Sequence, residues 1–315
     1  MRQGSLLLLL IATVLALLPL FFPWLGFVFT LALAKGLAAL GIALLLRGGL
    51  VSFGHGLYFG AGAYAVAFTL RSVPLDTVWL LLLAVLTGLA LGLLAGLFLS
   101  RYRGIFFAML NLAFSMVFYA LLAKFYHVTG GTDGIRVPTP TLLGLTLDRT
   151  LFGEALFYLA LLLTLLLGWG LTRFLRTPVG EALAALRTNE VRLEYLGIPV
   201  RRVILLVYVI SAGLASLGGG LAGVAVGHVV PELAFWVTSG EFVYIAILGG
   251  IGGVPGPFLG ALAYELIRTF AFKYLAFTWQ LLLGATMLLV IFFLPGGLWT
   301  LLGERRLRGR RATAP

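Results

Sequence analysis

The sequence predicts an all-α fold, a polytopic bundle of about ten transmembrane helices with both termini in the cytoplasm. Hydrophobic residues make up 61% of the 315 positions and charged residues 10%, with a mean hydropathy of +1.10. A soluble domain of this length does not hide so large an apolar fraction in one core. Apolar runs of about 20 residues recur along the chain, which is the length that a helix needs to cross the ~30 Å hydrocarbon layer.

Ten apolar spans are predicted, in chain order, at residues 5–25, 27–46, 50–70, 77–99, 104–125, 151–171, 203–226, 241–254, 257–271 and 279–298. The first run is interpreted as a span rather than a secretory signal, because no small-residue cleavage site follows it. The glycine-proline segment 249–260 is also compatible with a broken or re-entrant helix. We expect residues 1–302 to form one transmembrane domain, with a basic cytoplasmic tail at 303–315.

The basic residues orient these spans. The net charge is +11, and the 22 lysines and arginines lie mostly between the apolar runs. With both termini inside, 15 of the 22 fall on the cytoplasmic side, as the positive-inside rule requires. The charge therefore indicates topology and contact with anionic lipid headgroups rather than nucleic-acid binding. The chain has no cysteine, which excludes disulfides and thiolate metal sites, and we expect no cofactor.

Small residues recur at four-residue spacing, which is typical of closely packed transmembrane helices. The rows are Gly88, Gly92, Gly96; Gly219, Gly223, Gly227; and Gly252, Gly256, Gly260. Six residues between positions 49 and 64 recur 200 positions later, a hint of the internal duplication found in transporters.

Several polar side chains are predicted at membrane depth. Lys35 lies near the middle of the second span and Glu265 within the ninth, and each is costly to expose to lipid. They indicate a translocation path, a structural ion pair or, for Lys35, a side chain that snorkels to the interface. Ser52 and His55 accompany glycines in a segment of irregular backbone, which in membranes usually lines a cavity.

The segment 174–202 is the most informative polar stretch, and charge places it in the cytoplasm. The run RTPVGEALAALRTNEVRLEYLGIPVRR is built like two short helices. Thr177 and Pro178 begin the first, Asn189 caps the second, and Gly197 ends it. An apolar stripe runs along one face, at Val179, Ala182, Leu183, Leu186, Leu193 and Leu196. We expect this stripe to dock onto a protein rather than to lie on the bilayer.

GEALAALRTNEVRLEYLGI resembles the coupling loop of binding-protein-dependent importer permeases. Other segments are similar to the branched-chain amino acid permease family in the same order: LVSFGHGLYFGAGAY (50–64), RGIFFAMLNLAF (103–114), TGGTDGI (129–135), ILGGIGGVPGPFLGA (247–261) and FLPGGLW (293–299). Within the 177–198 loop, the resemblance assigns ATPase coupling to Glu181, Ala182, Ala185, Arg187, Asn189, Glu190 and Gly197.

The resemblance implies an M-type permease subunit in the plasma membrane of a bacterium or archaeon. A second permease of the same family, two ATP-binding cassette subunits and an extracytoplasmic binding protein carrying leucine, isoleucine or valine would be its partners. Candidate residues of the translocation path are Lys35, Ser52, His55, Asn111, Thr132, Asp133 and Glu265. Thr132 and Asp133 lie in TGGTDGI, which is placed outside and is equally compatible with a plain glycine turn.

Competing functions are separated by motifs. There is no GxxxxGK[ST] loop, so ATP hydrolysis is expected on a separate chain. There is also no HExxH or GxSxG, and we expect no enzymatic activity. A permease for urea or short-chain amides stays open as an alternative. An ion-coupled secondary transporter or a channel is a further alternative, but it needs no cytoplasmic segment for an ATPase.

Overall fold

The computed structural model describes residues 22–274, 278–294 and 296–303. The first predicted span, apart from its last residues, and the basic tail lie outside this part of the chain. Within it the fold is all-α, with thirteen helices. They are α1 Pro23–Arg47, α2 His55–Ser72, α3 Thr77–Leu99, α4 Gly104–Lys124, α5 Tyr126–Thr129, α6 Arg149–Phe174, α7 Pro178–Leu186, α8 Glu190–Tyr195, α9 Val200–Val226, α10 Trp236–Gly249, α11 Gly256–Tyr274, α12 Trp279–Phe293 and α13 Leu298–Gly303.

Each predicted span from the second to the tenth coincides with a helix. Five helices in the described ranges are long and apolar enough to cross a membrane: Trp24–Arg47, Thr77–Leu99, Gly104–Lys124, Arg149–Phe174 and Val200–Val226. Helices α10 and α12 are apolar but shorter. The chain is therefore a multi-pass helical bundle, while the count of ten crossings and the side of the termini stay predictions.

Three predicted spans have wrong boundaries: the third, the eighth and the tenth, whose helix α12 ends at Phe293 and not at residue 298. Residues 50–54 are not helical, and α2 begins only at His55, because the chain turns at Gly49, whose φ of +76° suits glycine. The eighth span begins at Trp236 instead of 241 and ends at Gly249, because Gly250 has a φ of +93°. The break between Gly249 and Gly256 agrees with the broken-helix interpretation of 249–260.

Helix α9 is the centre of the bundle and packs against α1, α2 and α3. Glycines bring the backbones together: a Cβ at Gly219 would collide with the carbonyl oxygen of Phe59 on α2, and one at Gly62 with that of Ser216 on α9. A Cβ at Gly92 on α3 would lie 2.6 Å from the Cβ of Ala212. The glycine rows of α3 and α9 are thus packing surfaces, as close helix contact requires.

A second glycine contact joins two of the sequence motifs. Gly249 at the end of α10 lies against the backbone of Gly256 and Gly260 at the start of α11. The backbone of Gly250 meets Gly297 of the FLPGGLW motif, and the ring of Trp299 covers Gly253. Side chains would prevent these approaches, which explains why two separate segments are both rich in glycine.

At the other end of the bundle, a small two-stranded sheet ties two loops together. Strands β1 (Ile135–Arg136) and β2 (His228–Val229) are antiparallel and follow α5 and α9. A 3₁₀ turn, Gly131–Asp133, precedes β1, and another, Pro231–Ala234, leads from β2 toward α10. The sheet fixes the loop between α4 and α6 over the end of the central helix.

Candidate functional site

The segment between α6 and α9 has the two predicted helices, α7 and α8. The Thr177 side chain accepts a hydrogen bond from the Gly180 amide (3.5 Å), and Asn189 Oδ1 accepts one from the Arg192 amide (3.0 Å). Each side chain therefore satisfies a backbone donor that the first helical turn leaves open. Gly197 follows α8 with a φ of +78°, which reverses the chain into α9.

The apolar stripe of this segment faces the chain's own transmembrane helices. Ala182, Leu183, Leu186 and Leu193 are buried, and Leu183 lies so close to Gly48 that a Cβ there would be 2.7 Å from its Cδ1. The expectation that the stripe docks onto another protein is therefore wrong for these four residues. Ala182 is 5% exposed, so most of its surface lies against the chain itself, and its assignment to ATPase coupling stays a prediction.

The outward face of the segment is the surface that a partner would meet. Glu181, Arg187 and Asn189 are exposed, and Ala185 is half-buried. Three exposed apolar side chains accompany them: Val191 (59%), Tyr195 (88%) and Leu196 (71%). Apolar side chains so exposed at a helix end are typical of an interaction surface. The sequence prediction placed Leu196 in the apolar stripe that docks onto a protein, and it did not single out Val191 and Tyr195.

Two arginines fix this segment to the bundle. Arg103, just before α4, forms an ion pair with Glu190 of α8, with a shortest distance of 2.7 Å. Arg201, at the start of α9, donates a hydrogen bond to the carbonyl oxygen of Leu97 (3.0 Å) and another to Ser100 Oγ (3.4 Å). Glu190 thus ties α8 to the start of α4, and Arg201 ties the start of α9 to the end of α3.

Three of the predicted path residues, Ser52, His55 and Asn111, lie in one buried hydrogen-bonded network. His55 Nδ1 lies 2.9 Å from Ser52 Oγ, and Ser52 Oγ donates to Asn111 Oδ1 at 3.1 Å. The other ring nitrogen of His55 lies 2.5 Å from Ser211 Oγ of α9. The end of the irregular backbone at Ser52 therefore packs against α4 and α9, whereas Gly49 and Val51 of the same segment line a cavity of about 310 Å³.

Two tyrosines complete the network, and sequence analysis did not find them. Tyr208 donates to Asn111 Oδ1 at 2.5 Å, and its hydroxyl lies 2.8 Å from that of Tyr58. Since Ser52 and Tyr208 both donate to Asn111, Ser52 must accept from His55 Nδ1–H and Tyr208 from Tyr58. The polar residues in the apolar run of α9 were the available signal.

The other charged candidates form a second buried cluster between α1, α10 and α11. The Lys35 ammonium lies 2.7 Å from Glu265 Oε1 and 3.2 Å from Glu241 Oε2. Arg268 lies 3.7 Å from the same oxygen of Glu265. Lys35 and Glu265 thus form an ion pair, and their part in a translocation path stays a prediction. Glu241 was missed because it was placed at the boundary of a predicted span, whereas it lies inside α10.

Thr132 and Asp133 are far from both clusters in the fold, in the exposed 3₁₀ turn at the sheet end of the bundle. The Tyr126 hydroxyl donates to Asp133 Oδ2 at 2.9 Å, and this hydrogen bond raises the pKa of Tyr126. The seven predicted path residues thus fall into three separate groups. Among the described residues, no group of three or more His, Cys, Asp or Glu side chains is arranged to hold a metal ion.

A multi-pass bundle with polar clusters among its helices and an anchored amphipathic segment at one end defines a membrane permease. Comparison with known families agrees. Residues 24–291 match the family described as branched-chain amino acid transport system / permease component, and the chain belongs to that family.

Individual relatives give the same result. The chain is 32% identical to the high-affinity branched-chain amino acid transport system permease protein LivM of Escherichia coli K12, over 79% of this chain and 64% of that protein. It is 26% identical to the permease protein LivH of Salmonella typhimurium, over 79% of this chain and 85% of that protein. It is 23% identical to a probable LivM of Methanocaldococcus jannaschii, over 77% of this chain and 77% of that protein. The match spans less than two thirds of the length of the LivM proteins of Escherichia coli and Salmonella typhimurium, and no solved structure matches the chain.

Proposed function

We propose that this chain is the membrane-spanning permease subunit of an ATP-driven importer that carries leucine, isoleucine and valine across the plasma membrane. Its partners are a second permease of the same family, two ATP-binding cassette subunits and an extracytoplasmic binding protein. The chain itself carries out no chemistry on ATP. Family membership and the names of the relatives, which are branched-chain amino acid permeases, support the substrate class.

The observation that carries the proposal is the rigid attachment of α7 and α8, together with their free outward face. Helix α7 contacts Gly48 at the end of α1, and α8 is paired with Arg103 at the start of α4. Helix α9 follows α8 directly in the sequence. A force applied to the outward face of α7 and α8 is therefore transmitted to α1, α4 and α9 together. An ion-coupled carrier has no use for such a surface, whereas an ATPase that closes on nucleotide needs one.

On this proposal, nucleotide-driven closure of the ATPase displaces α7 and α8, and the displacement tilts α1, α4 and α9 around the buried clusters. The predicted path residues take part in two ways. The hydrogen-bonded network around Asn111 holds α2, α4 and α9 together, and the turn with Thr132 and Asp133 lies at the end where a binding protein delivers substrate. Glycine contacts let the helices slide without side-chain interlock.

The test is co-expression of this chain with the ATPase, second permease and binding protein of its genomic neighbourhood. We expect the four chains to co-purify and to hydrolyse ATP faster when the binding protein carries leucine. The double variant Tyr195→Ala/Leu196→Ala removes apolar contact area from the outward face and should lower the bound ATPase by about tenfold. Leu143→Ala, which trims a 78% exposed leucine in the loop between α5 and α6, is the matched control and should leave binding unchanged.

Other outcomes separate the alternatives. Stimulation by a binding protein loaded with urea or a short-chain amide, and not with leucine, would assign the chain to the related importers of those solutes. If no ATPase associates with the parent chain, the importer proposal fails and an ion-coupled carrier is the better description.

A further inference from the structure

Helix α10 is largely buried but has one partly exposed stripe. Val237, Glu241, Tyr244 and Ile247 follow one another at spacings of three and four residues, which places them on one face. At the end of α10 that leads to Gly250, the stripe reaches a cavity of about 310 Å³, lined by Ile247, Ile251 and Arg187 among others. The stripe therefore runs along α10 from the end of the bundle that holds the sheet to the end at which α7 packs.

Glu241 is the unusual member of this stripe. Its side chain is 24% exposed, whereas that of Glu265 is 5% exposed. It contacts Lys35, which lies about halfway along α1, so it is deep in the bundle. A partly exposed carboxylate at this depth is costly against lipid and is found facing water or a polar solute.

The surrounding charges are balanced, with two cations, Lys35 and Arg268, and two carboxylates. Glu265 Oε1 is approached by both cations, while Glu241 is paired with Lys35 at the longer distance of 3.2 Å. Glu265 Oε1 is also not aligned for a hydrogen bond despite its 2.7 Å contact with Lys35. Lys35 donates a hydrogen bond to Glu241 Oε2 and still has donors to spare, and of its two carboxylate partners Glu241 is the farther and the more exposed.

We propose that Lys35 and Glu241 form a binding site for the two charged ends of an amino acid zwitterion. The α-ammonium takes the place of Lys35 at the Glu241 carboxylate, and the α-carboxylate takes the place of Glu241 at the Lys35 ammonium. Two ion pairs replace one, and no charge is left alone in the membrane. The inference rests on the proposed function and names the site at which that importer meets its substrate.

The exchange explains selectivity for amino acids over neutral solutes. Urea or an amide brings no charge to replace the Lys35–Glu241 pair, so opening the pair would leave the Glu241 carboxylate unpaired at low dielectric, while Lys35 keeps Glu265. The aliphatic side chain of leucine or valine has apolar neighbours along the same stripe, at Val237 and Ile247. The site thus fits a small zwitterion with an apolar side chain.

The test uses the complete transporter in liposomes, with radiolabelled leucine uptake and ATP hydrolysis measured on the same preparation. In Glu241→Gln we expect leucine moved per ATP to fall by about tenfold, the size of effect that loss of one charge contact gives. ATP hydrolysis stimulated by the loaded binding protein should stay within about twofold, since α7 and α8 are not altered. Glu241→Asp, which retains the charge, should recover most of the uptake.

Two further variants separate recognition from folding. Lys35→Met/Glu241→Gln removes both charges of the pair, leaves Glu265 beside Arg268, and should be as poorly coupled as Glu241→Gln. Glu154→Gln removes an exposed carboxylate of α6 and should transport normally.

Each remaining outcome has one meaning. Wild-type leucine per ATP in Glu241→Gln overturns the site and leaves the importer intact. Parallel loss of ATP hydrolysis and uptake in Glu241→Gln, Glu241→Asp and the double variant shows a structural role only, and also overturns it. A parent complex that hydrolyses ATP but moves no leucine removes the proposed function itself, and the site with it.

Discussion

Arg103 holds the carboxylate of Glu190 from two nitrogen atoms. Its Nε donates to both carboxylate oxygens, at 3.0 and 2.9 Å, and its Nη2 donates to Oε1 at 2.7 Å. Its remaining nitrogen donates to the carbonyl oxygens of Ser100 and Tyr102, at 2.7 and 2.9 Å. The guanidinium therefore joins α8 to the turn between α3 and α4, with a planar geometry that lysine cannot provide.

Replacement of Arg103 by lysine is expected to loosen α8 without unfolding the chain. The pair is about one third exposed, so its loss should lower the free energy of unfolding by no more than about 1 kcal/mol. The larger effect should be on coupling, with fewer leucine molecules moved per ATP in the reconstituted transporter. Glu154→Gln, an exposed acid of α6 outside the proposed ATPase contact, is the control. Unchanged coupling in Arg103→Lys would show that α8 transmits no force through this contact.

Substitution of Gly219 by alanine is expected to separate α9 from α2. A methyl group there meets the carbonyl oxygen of Phe59, so the helices must move apart and bury less surface. We expect the midpoint of thermal unfolding in detergent to fall, by the equivalent of about 1–3 kcal/mol. Gly170→Ala on α6 has open space around it and should be neutral or slightly stabilising, because alanine favours a helix. Equal midpoints for the two variants would contradict the close contact.

Local chemistry made part of the fold predictable. The caps at Thr177 and Asn189 and the reversal at Gly197 depend on neighbouring residues, and the two predicted helices are present where they were placed. Long apolar runs likewise predicted the helices of the bundle. Such features follow from propensity, capping and hydrophobicity, which the sequence shows directly.

The partners of each surface were not predictable in the same way. An amphipathic stripe shows that α7 covers something, but only the fold shows that it covers Gly48. His55 and Ser211 are 156 residues apart, and nothing local indicates their contact. Glu241 was placed at the first position of a predicted span because acids usually flank apolar runs. In the fold it lies inside α10, where Lys35 compensates its charge. Long-range contacts decide these cases, and a single sequence does not contain them.

Gly197 gives a test of backbone conformation alone. Its φ is +78°, and a Cβ at this position would meet no atom within 4 Å. Gly197→Ala should therefore cost about 1 kcal/mol through the left-handed conformation and nothing through collision. Gly197→Asn should cost less, because asparagine tolerates this conformation. The comparison is made by protease susceptibility of the 177–198 loop, which should increase in the order wild type, asparagine, alanine. The reverse order for the two variants would exclude backbone strain as the cause.

The direction of the hydrogen bonds around Asn111 predicts unequal effects for two similar substitutions. Tyr208 gives its only proton to Asn111 and so must accept from Tyr58. Tyr208→Phe removes both bonds and leaves the buried Tyr58 hydroxyl without an acceptor, which costs about 1–3 kcal/mol. Tyr58→Phe removes one bond and leaves Tyr208 donating to Asn111, so it should lower the midpoint of thermal unfolding less. The double variant should resemble Tyr208→Phe or be more stable, since no hydroxyl then lacks a partner. Additive losses would mean that the two tyrosines contribute independently and that Tyr58 does not donate to Tyr208.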